Sequence, residues 1–286
     1  MKPCDFRYHA PRSLDEALEL LDGKEDARLL AGGQSLVAML NLRVAMPDEV
    51  IDLNGIAELD GLTIGTEAIV FGAMTRQRRL ERDPGLAAAA PIFAAALAHV
   101  GHLQTRNRGT IGGSLCQLDP AAELPALCML YDAELTVRGP GGERRMPMSE
   151  FPAFYMTPAL DADEILTSIR LPLRPGRAGH GFVEFARRHG DFAIVAAGAL
   201  IWLDAGGHVA DAAIVVGGVG AAPLRLGAVE AALRGQRPEG ATLAAAADLA
   251  GEIDAMEDSA YSADYRRHLA RVLVRRALIQ AAERAA

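Results

Sequence analysis

Two glycine-rich runs hold the residue types best suited to binding chemistry: Ala31, Gly32, Gly33, Gln34 and Ser35, and much later Thr110, Ile111, Gly112, Gly113 and Ser114. Glycine lets a backbone come close to a ligand and turn its amides inward, which holds an anionic phosphate without a lysine. The first run precedes a candidate helix whose opening amides would add partial positive charge for a pyrophosphate. A dinucleotide is the natural occupant. The alternative reading of each run is a tight connection and nothing more.

Other combinations carry less. Gly217, Gly218, Val219 and Gly220 follow a strand candidate, but Ala222 replaces the third glycine of a dinucleotide fingerprint and Pro223 stands where a helix should open, so this run reads as a loop. Asp119 and Glu123 are spaced for one helix face and acid-base work. Equally, Asp119 is an N-cap and Glu123 a first-turn acid, and the cap role is compatible with a ligand contact from Glu123. His99, His102 and Cys116 lack a further ligand to complete a metal set, so no metal is expected on this chain. Only Lys2 and Lys24 are lysines, and neither follows a phosphate loop, which excludes a Walker-type NTPase and argues against a Schiff-base enzyme. Cys4, Cys116 and Cys128 are too few and too scattered for a disulfide scaffold or a four-thiolate cluster, so electrons passing through iron would need another chain.

The elements that must position these residues can be read from periodicity. Ser13 and Glu16 form a capping box ahead of Leu14, Ala17, Leu18 and Leu21, a helix that Gly23 ends. Residues 28–31 and 49–53 read as strands around a helix at 36–40, a small βαβ unit. Short β pieces follow at 61–72, and then two helices within 75–100, broken at Asp83, Pro84 and Gly85. A helix is expected from Asp119, with Pro120 in its first turn. Residues 134–148 read as two strands about a glycine turn, and 164–171 as a further strand. Pro172, Pro175, Gly176 and Gly179 form a linker. Beyond it, strands at 181–187, 192–203 and 209–216 precede helices at 227–234, 241–253 and 262–284, a second α+β layer pair. Arg266, Arg267, Arg271, Arg275 and Arg276 on the last helix read as a solvated face, with a subunit contact as the alternative.

With 286 residues the chain suits one large or two modest domains, and 50% hydrophobic residues exclude disorder as the main state. The longest apolar stretch, 86–100, is interrupted by Pro91 and His99 and falls short of the roughly 20 residues a membrane span needs. The N-terminus has no leader pattern, and a cytoplasmic location is expected. A net charge of −8 repels polyanions, so nucleic acid is not expected as a partner.

The chain resembles the FAD-binding medium subunits of molybdenum hydroxylases, the group that includes aerobic carbon monoxide dehydrogenase and the flavin domain of xanthine dehydrogenase. Residues 31–36 (AGGQSL) resemble that family's first FAD pyrophosphate loop, and 106–126 (RNRGTIGGSLCQLDPAAELPA) its second. The likeness continues at 163–172, 185–199, 215–225 and 258–269, and so covers essentially the whole chain.

The resemblance implies an α+β fold: a two-part FAD domain of the vanillyl-alcohol oxidase (PCMH) type over 1–176, divided near residue 55, and a smaller C-terminal α+β domain of the CO dehydrogenase flavoprotein type over 177–286. It implies that Leu30, Ala31, Gly32, Gly33, Gln34, Ser35 and Leu36, with Thr110, Ile111, Gly112, Gly113 and Ser114, hold the pyrophosphate region. Gly101 would lie close to the cofactor, Glu123 near the adenosine ribose, Leu166 against the cofactor and Phe192 beside the isoalloxazine ring. Relatives often carry a lysine just before the arginine pair at Arg187 and Arg188; here Val183, Glu184 and Phe185 stand there.

The role implied is redox, with no catalytic side chain. FAD on this chain would pass electrons from an iron–sulfur small subunit with [2Fe-2S] clusters to a quinone, cytochrome, NAD or oxygen. A molybdopterin-binding large subunit carrying the molybdenum cofactor would hydroxylate the substrate, in a dimer of heterotrimers. A self-contained FAD oxidoreductase and a FAD-free bridging subunit are the alternatives. The substrate is not legible.

Overall fold

The computed structural model describes residues 1–176 and 178–285; position 177, where the second domain is expected to begin, and position 286 lie outside the described residues. The N-terminal part contains β1 (Arg7–His9), α1 (Leu14–Leu21), β2 (Ala27–Leu30), α2 (Leu36–Asn41) and β3 (Glu49–Asp52). β3 runs parallel to β1 on one side and β2 on the other, with Val50 opposite both Tyr8 and Arg28, so the βαβ expectation holds. α1 starts where its cap predicts: Ser13 Oγ accepts from the Glu16 amide at 3.2 Å. The Glu16 carboxylate reaches back one residue further than a capping box requires, to the Arg12 amide at 2.7 Å. Leu14, Ala17 and Leu21 are buried with Ile51, Leu53 and Met74 in a small core of their own.

The middle part carries β4 (Leu62–Ile64), β5 (Ala68–Gly72), α3 (Gln77–Arg82), α4 (Pro84–Ala89), α5 (Ile92–Leu97), α6 (Leu103–Arg108), α7 (Ile111–Gln117) and α8 (Glu123–Leu130). It continues with β6 (Glu134–Gly139), β7 (Gly142–Pro147), a hairpin of β8 (Pro152–Phe154) and β9 (Thr157–Pro158), and β10 (Ile165–Pro172). β10 returns to lie between β5 and β6 in an antiparallel sheet ordered β4-β5-β10-β6-β7.

Three expectations need correction in this part. Residues 75–100 form three helices, not two, because Pro91 ends the second as surely as Asp83 and Pro84 end the first. The stretch from Gly101 to Leu118, where the sequence suggests no helix and a tight connection at Thr110–Ser114, is largely helical: Thr110 caps α7 through its side chain, and left-handed Leu118 (φ 48°) closes it. No helix starts at Asp119. Its carboxylate accepts from the Ala121 amide at 2.9 Å in a turn, the Pro120 carbonyl accepts from Gly218 at 2.7 Å, and α8 opens only at Glu123.

The C-terminal part is a sheet of β11 (Gly179–Ala186), β12 (Ala193–Leu203), β13 (Val209–Gly217) and β14 (Leu224–Arg225), followed by α9 (Gly227–Leu233), α10 (Gly240–Asp248) and α11 (Ala263–Ala285). β12 is a continuous apolar run because both of its faces are covered. One sheet face, with Phe182, Ala196, Leu200, Ala213 and Val215, joins the core of the middle part, including Leu124, Leu127 and Leu130 of α8. The other, with Val195, Ala197, Ala199 and Ile214, packs under Leu273, Val274, Ala277 and Leu278 of α11. The contact with α11 is backbone-close: a Cβ on Gly179 would stand 2.0 Å from the Ala281 carbonyl oxygen, and one on Gly181 2.1 Å from that of Ala277.

Candidate cofactor site

The fold brings the two glycine runs into contact. A Cβ on Gly32 would stand 2.4 Å from the carbonyl oxygen of Arg108, and one on Gly113 would stand 3.3 Å from the Ala31 methyl. Gly33 has φ +73°, a conformation that glycine adopts freely and other residues do not. From Leu30, at the end of β2, the first run turns along a cleft of about 420 Å³ lined by Leu30, Ala31, Gly32, Gly33, Gln34, Val37, Ala38, Asn41 and Arg108. Ser35 and Leu36 lie at the start of α2 beside it.

The second run lies behind that wall and faces inward. Ile111 donates to Thr75 O at 3.0 Å, Gly112 to Ala73 O at 2.8 Å, and Gly113 to Thr110 Oγ1 at 3.0 Å. Ser114 donates to the Thr110 carbonyl at 3.1 Å. The opening amides of α7 are thus already engaged, and Gly112 is glycine because a Cβ there would stand 2.6 Å from both the oxygen and the Cβ of Ala73.

A bracing network ties the two walls together. Asn54 Nδ2 donates to the Ala31 carbonyl at 2.9 Å; Arg76 donates from one guanidinium nitrogen to Asn54 Oδ1 and from the other to the Arg108 carbonyl. Burial works to raise the Asp52 carboxyl, but donors from Tyr8 and Asn54, helped by the Arg108 charge, outweigh it and hold that carboxyl below its ordinary value. Burial, and then the charge of Arg108, pull Arg76 below the usual arginine range against the opposing charges of Asp60 and Asp52, so the two guanidinium groups repel one another behind the cleft wall. Asn54, Arg76 and Arg108 were not singled out from sequence. The signal available was Arg108's place within the 106–126 segment, two positions before the second glycine run.

The remaining expected site residues fall elsewhere. Gly101 (φ +45°) lies under the turn that carries Phe192, since a Cβ on Gly190 would stand 2.9 Å from the His102 ring and 3.1 Å from Gly101 O. Helix α6 then connects Gly101 to Arg108. Phe192 is 69% exposed, at the edge of a second cleft of about 510 Å³ that also includes Arg187, Asp191, Tyr261 and Arg266. Leu166 is buried in the core beside a register shift in β10.

Arg266 corrects a reading made from the helix pattern. It is not on a solvated face but buried, donating to the carbonyls of Ile194 (2.8 Å) and Gly218 and to Asp258, with its guanidinium 5.7 Å over the Tyr261 ring. Arg271, Arg275 and Arg276 are the exposed ones.

Glu123, the first residue of α8, is buried opposite Glu184 of β11. Burial, and then the Glu184 charge, push its carboxyl up to about 8; burial pushes Glu184 up to about 7. Asp119 is also raised by burial. Burial raises the thiols of Cys116 and Cys128 to about 12, which disfavours thiolate chemistry at either. Among the described residues no cluster of His, Cys, Asp and Glu could hold a metal ion, and no helix is long and apolar enough to cross a membrane.

Residues 4–174 match the family model described as FAD binding domain in molybdopterin dehydrogenase, and residues 180–281 match the CO dehydrogenase flavoprotein C-terminal domain. The chain belongs to this FAD-binding family of molybdopterin dehydrogenases. It is 37% identical to the 6-hydroxypseudooxynicotine dehydrogenase complex subunit alpha of Paenarthrobacter nicotinovorans, over 100% of this chain and 97% of that one. Its structure superposes on quinoline 2-oxidoreductase from Pseudomonas putida 86 with a TM-score of 0.95 and 34% identity, covering 100% of this chain and 99% of that one. Carbon monoxide dehydrogenase from Hydrogenophaga pseudoflava gives 0.95 and 37%, with both chains fully covered. As a member of this family the chain is an FAD-binding medium subunit of the molybdenum hydroxylase type, an oxidoreductase component whose relatives are subunits of larger complexes. The first cleft suits such a cofactor: a glycine backbone that a phosphate can approach, and the Arg108 guanidinium beside it.

Proposed function

We propose that this chain holds FAD as the electron exit of a molybdenum hydroxylase complex, between an iron–sulfur small subunit bearing [2Fe-2S] clusters and an external acceptor. A molybdopterin-binding large subunit carries the substrate chemistry, and the complex is a dimer of heterotrimers in the cytoplasm. The observation that carries this reading is the contact between two glycine runs distant in sequence, the first of which lines a cleft together with Arg108 while the second backs it, in a chain of this family.

Bound FAD supplies one- and two-electron redox chemistry, and the protein supplies binding, orientation and electrostatics. Leu30 to Leu36 receive the pyrophosphate on the open side of the cleft. Thr110, Ile111, Gly112, Gly113 and Ser114 act mainly by holding that wall, with the Thr110 and Ser114 hydroxyls as their remaining polar groups. Phe192 and Gly101, joined through His102 and Gly190, mark the ring end of the cofactor. Glu123 offers a carboxyl toward the ribose, and Leu166 supports the site from the core. The FAD part extends over 1–176 in two sub-parts meeting near residue 55, and the C-terminal part over 177–286.

Relatives of similar identity carry names built on 6-hydroxypseudooxynicotine, quinoline and carbon monoxide, which supports placing substrate choice on another subunit.

The test is the visible spectrum of the purified chain, alone and co-expressed with candidate small and large subunits, followed by acid release of the cofactor. One equivalent of FAD per chain, with an added iron–sulfur spectrum on co-expression, is expected. A colourless protein in both preparations would refute the reading, and substrate oxidation by the single chain would favour a self-contained oxidoreductase. Cell fractionation checks the location.

A further inference from the structure

We propose that Arg108 is the cationic contact of the cofactor's pyrophosphate, and that Asn54 and Arg76 are the residues that position it. This rests on the FAD reading above and assigns to it three residues outside the two glycine runs themselves, Arg108 lying two positions ahead of Thr110 within the 106–126 segment.

Arg108 lines the same cleft as Gly32, Gly33 and Gln34. Its backbone is pinned from two directions. Its carbonyl accepts from Arg76, and the close approach of Gly32 leaves no room for a side chain between them. Its side chain, in contrast, is exposed, and among the described residues no carboxylate forms a salt bridge with its guanidinium. Asp52, whose carboxyl feels the Arg108 charge, is already hydrogen-bonded to the Tyr8 hydroxyl and to Asn54. A fixed backbone with a free guanidinium at a cleft mouth is a preorganised cation, and such a group gains most from a dianionic, multi-oxygen partner that its planar fork can grip.

The positioning role follows from connectivity. The path Ala31 carbonyl, Asn54, Arg76, Arg108 carbonyl runs from one wall of the cleft to the other. Arg76 uses both of its terminal nitrogens in that path, so it sets the width of the cleft, whereas Arg108 keeps its guanidinium for the ligand. The repulsion between the two groups is relieved when an anion sits beside them.

The experiment titrates FAD, ADP and riboflavin into the full-length apo-chain, following flavin fluorescence for the flavins and calorimetry for ADP, at two salt concentrations. Arg108→Ala is expected to weaken FAD and ADP by roughly 10- to 100-fold, the range for loss of a charged hydrogen-bonding partner, and to leave riboflavin unchanged. It should also flatten the salt dependence of ADP binding, and Arg108→Lys should restore part of both. Arg76→Ala should weaken FAD while keeping the salt dependence, because the cation that meets the phosphate remains. Wild-type affinity for ADP in Arg108→Ala, with FAD still bound, would overturn this inference alone; a wild-type chain that takes up neither FAD nor ADP would overturn both it and the cofactor reading. Because Arg108 is exposed, Arg108→Ala is expected to fold, and circular dichroism of the variant checks this.

Discussion

The two glycine motifs share residue types and a neighbouring helix, yet the structure uses them in opposite ways. Residues 30–34 open onto a cleft, and Gly33 turns there through a left-handed conformation. Residues 110–113 face the interior, with the Ile111 and Gly112 amides donated to Thr75 and Ala73 and that of Gly113 to the Thr110 hydroxyl. A glycine run therefore marks a close approach, but what approaches differs: at Gly112 it is the protein's own strand end, and at Gly33 it is the surface where a ligand would rest. Gly32 belongs to both descriptions, since its missing side chain admits the Arg108 carbonyl.

That contrast fails or holds on how substitutions divide between stability and cofactor affinity. The largest effect is expected for Gly112→Val, whose side chain would have to displace the Ala73 backbone; a loss of about 3 kcal/mol or more in urea unfolding is expected. A Gly112→Val chain that unfolds like wild type and lacks only FAD would erase the distinction between the motifs. Gly33→Val should do the reverse, losing FAD while costing only about 1–2 kcal/mol from the left-handed backbone. Unchanged flavin content in that variant would remove the first motif from the site. Removing the cap with Thr110→Ala should lower stability by about 1 kcal/mol and change FAD affinity much less, which parallel unfolding and titration series can check.

The pH response sharpens the inward role of the second motif, because the stretch it begins ends at Glu123, buried against Glu184 in the seam with the C-terminal sheet. Burial raises both carboxyls, so the folded chain holds their protons more tightly than the unfolded chain does. The stability they contribute is full below the ordinary value of 4.5 and is lost as pH rises toward 8. Glu184→Gln should flatten the unfolding midpoint across that window. An identical pH profile in wild type and variant would show that the pair does not titrate there.

Much of the framework was legible before any coordinates. Ser13 and Glu16 located α1, the apolar run of β12 reflected burial on both faces, and the glycine and proline residues after Pro172 placed the change from one sheet to the next. Helices α6 and α7 were not legible, because Gly109, Gly112 and Gly113 look like turn residues when their packing partners are unknown. The start of α8 was misplaced for a related reason: Asp119 has cap chemistry, but a long-range bond from Gly218 holds Pro120 in a turn. Of the expected site residues, Leu30 to Gln34 line the first cleft, whereas Leu166 is in the core and Phe192 is at another cleft.

By itself the sequence determined the family, the α+β class, the order of most elements and the two glycine runs, because these depend on local patterning and on residue types with few uses. Only the tertiary structure decided which glycine run faces a cleft, that Arg108 stands at its mouth while Arg76 and Asn54 brace it, and that Glu123 meets Glu184. Those facts depend on contacts between residues far apart in the chain, whose pairing no local spacing encodes.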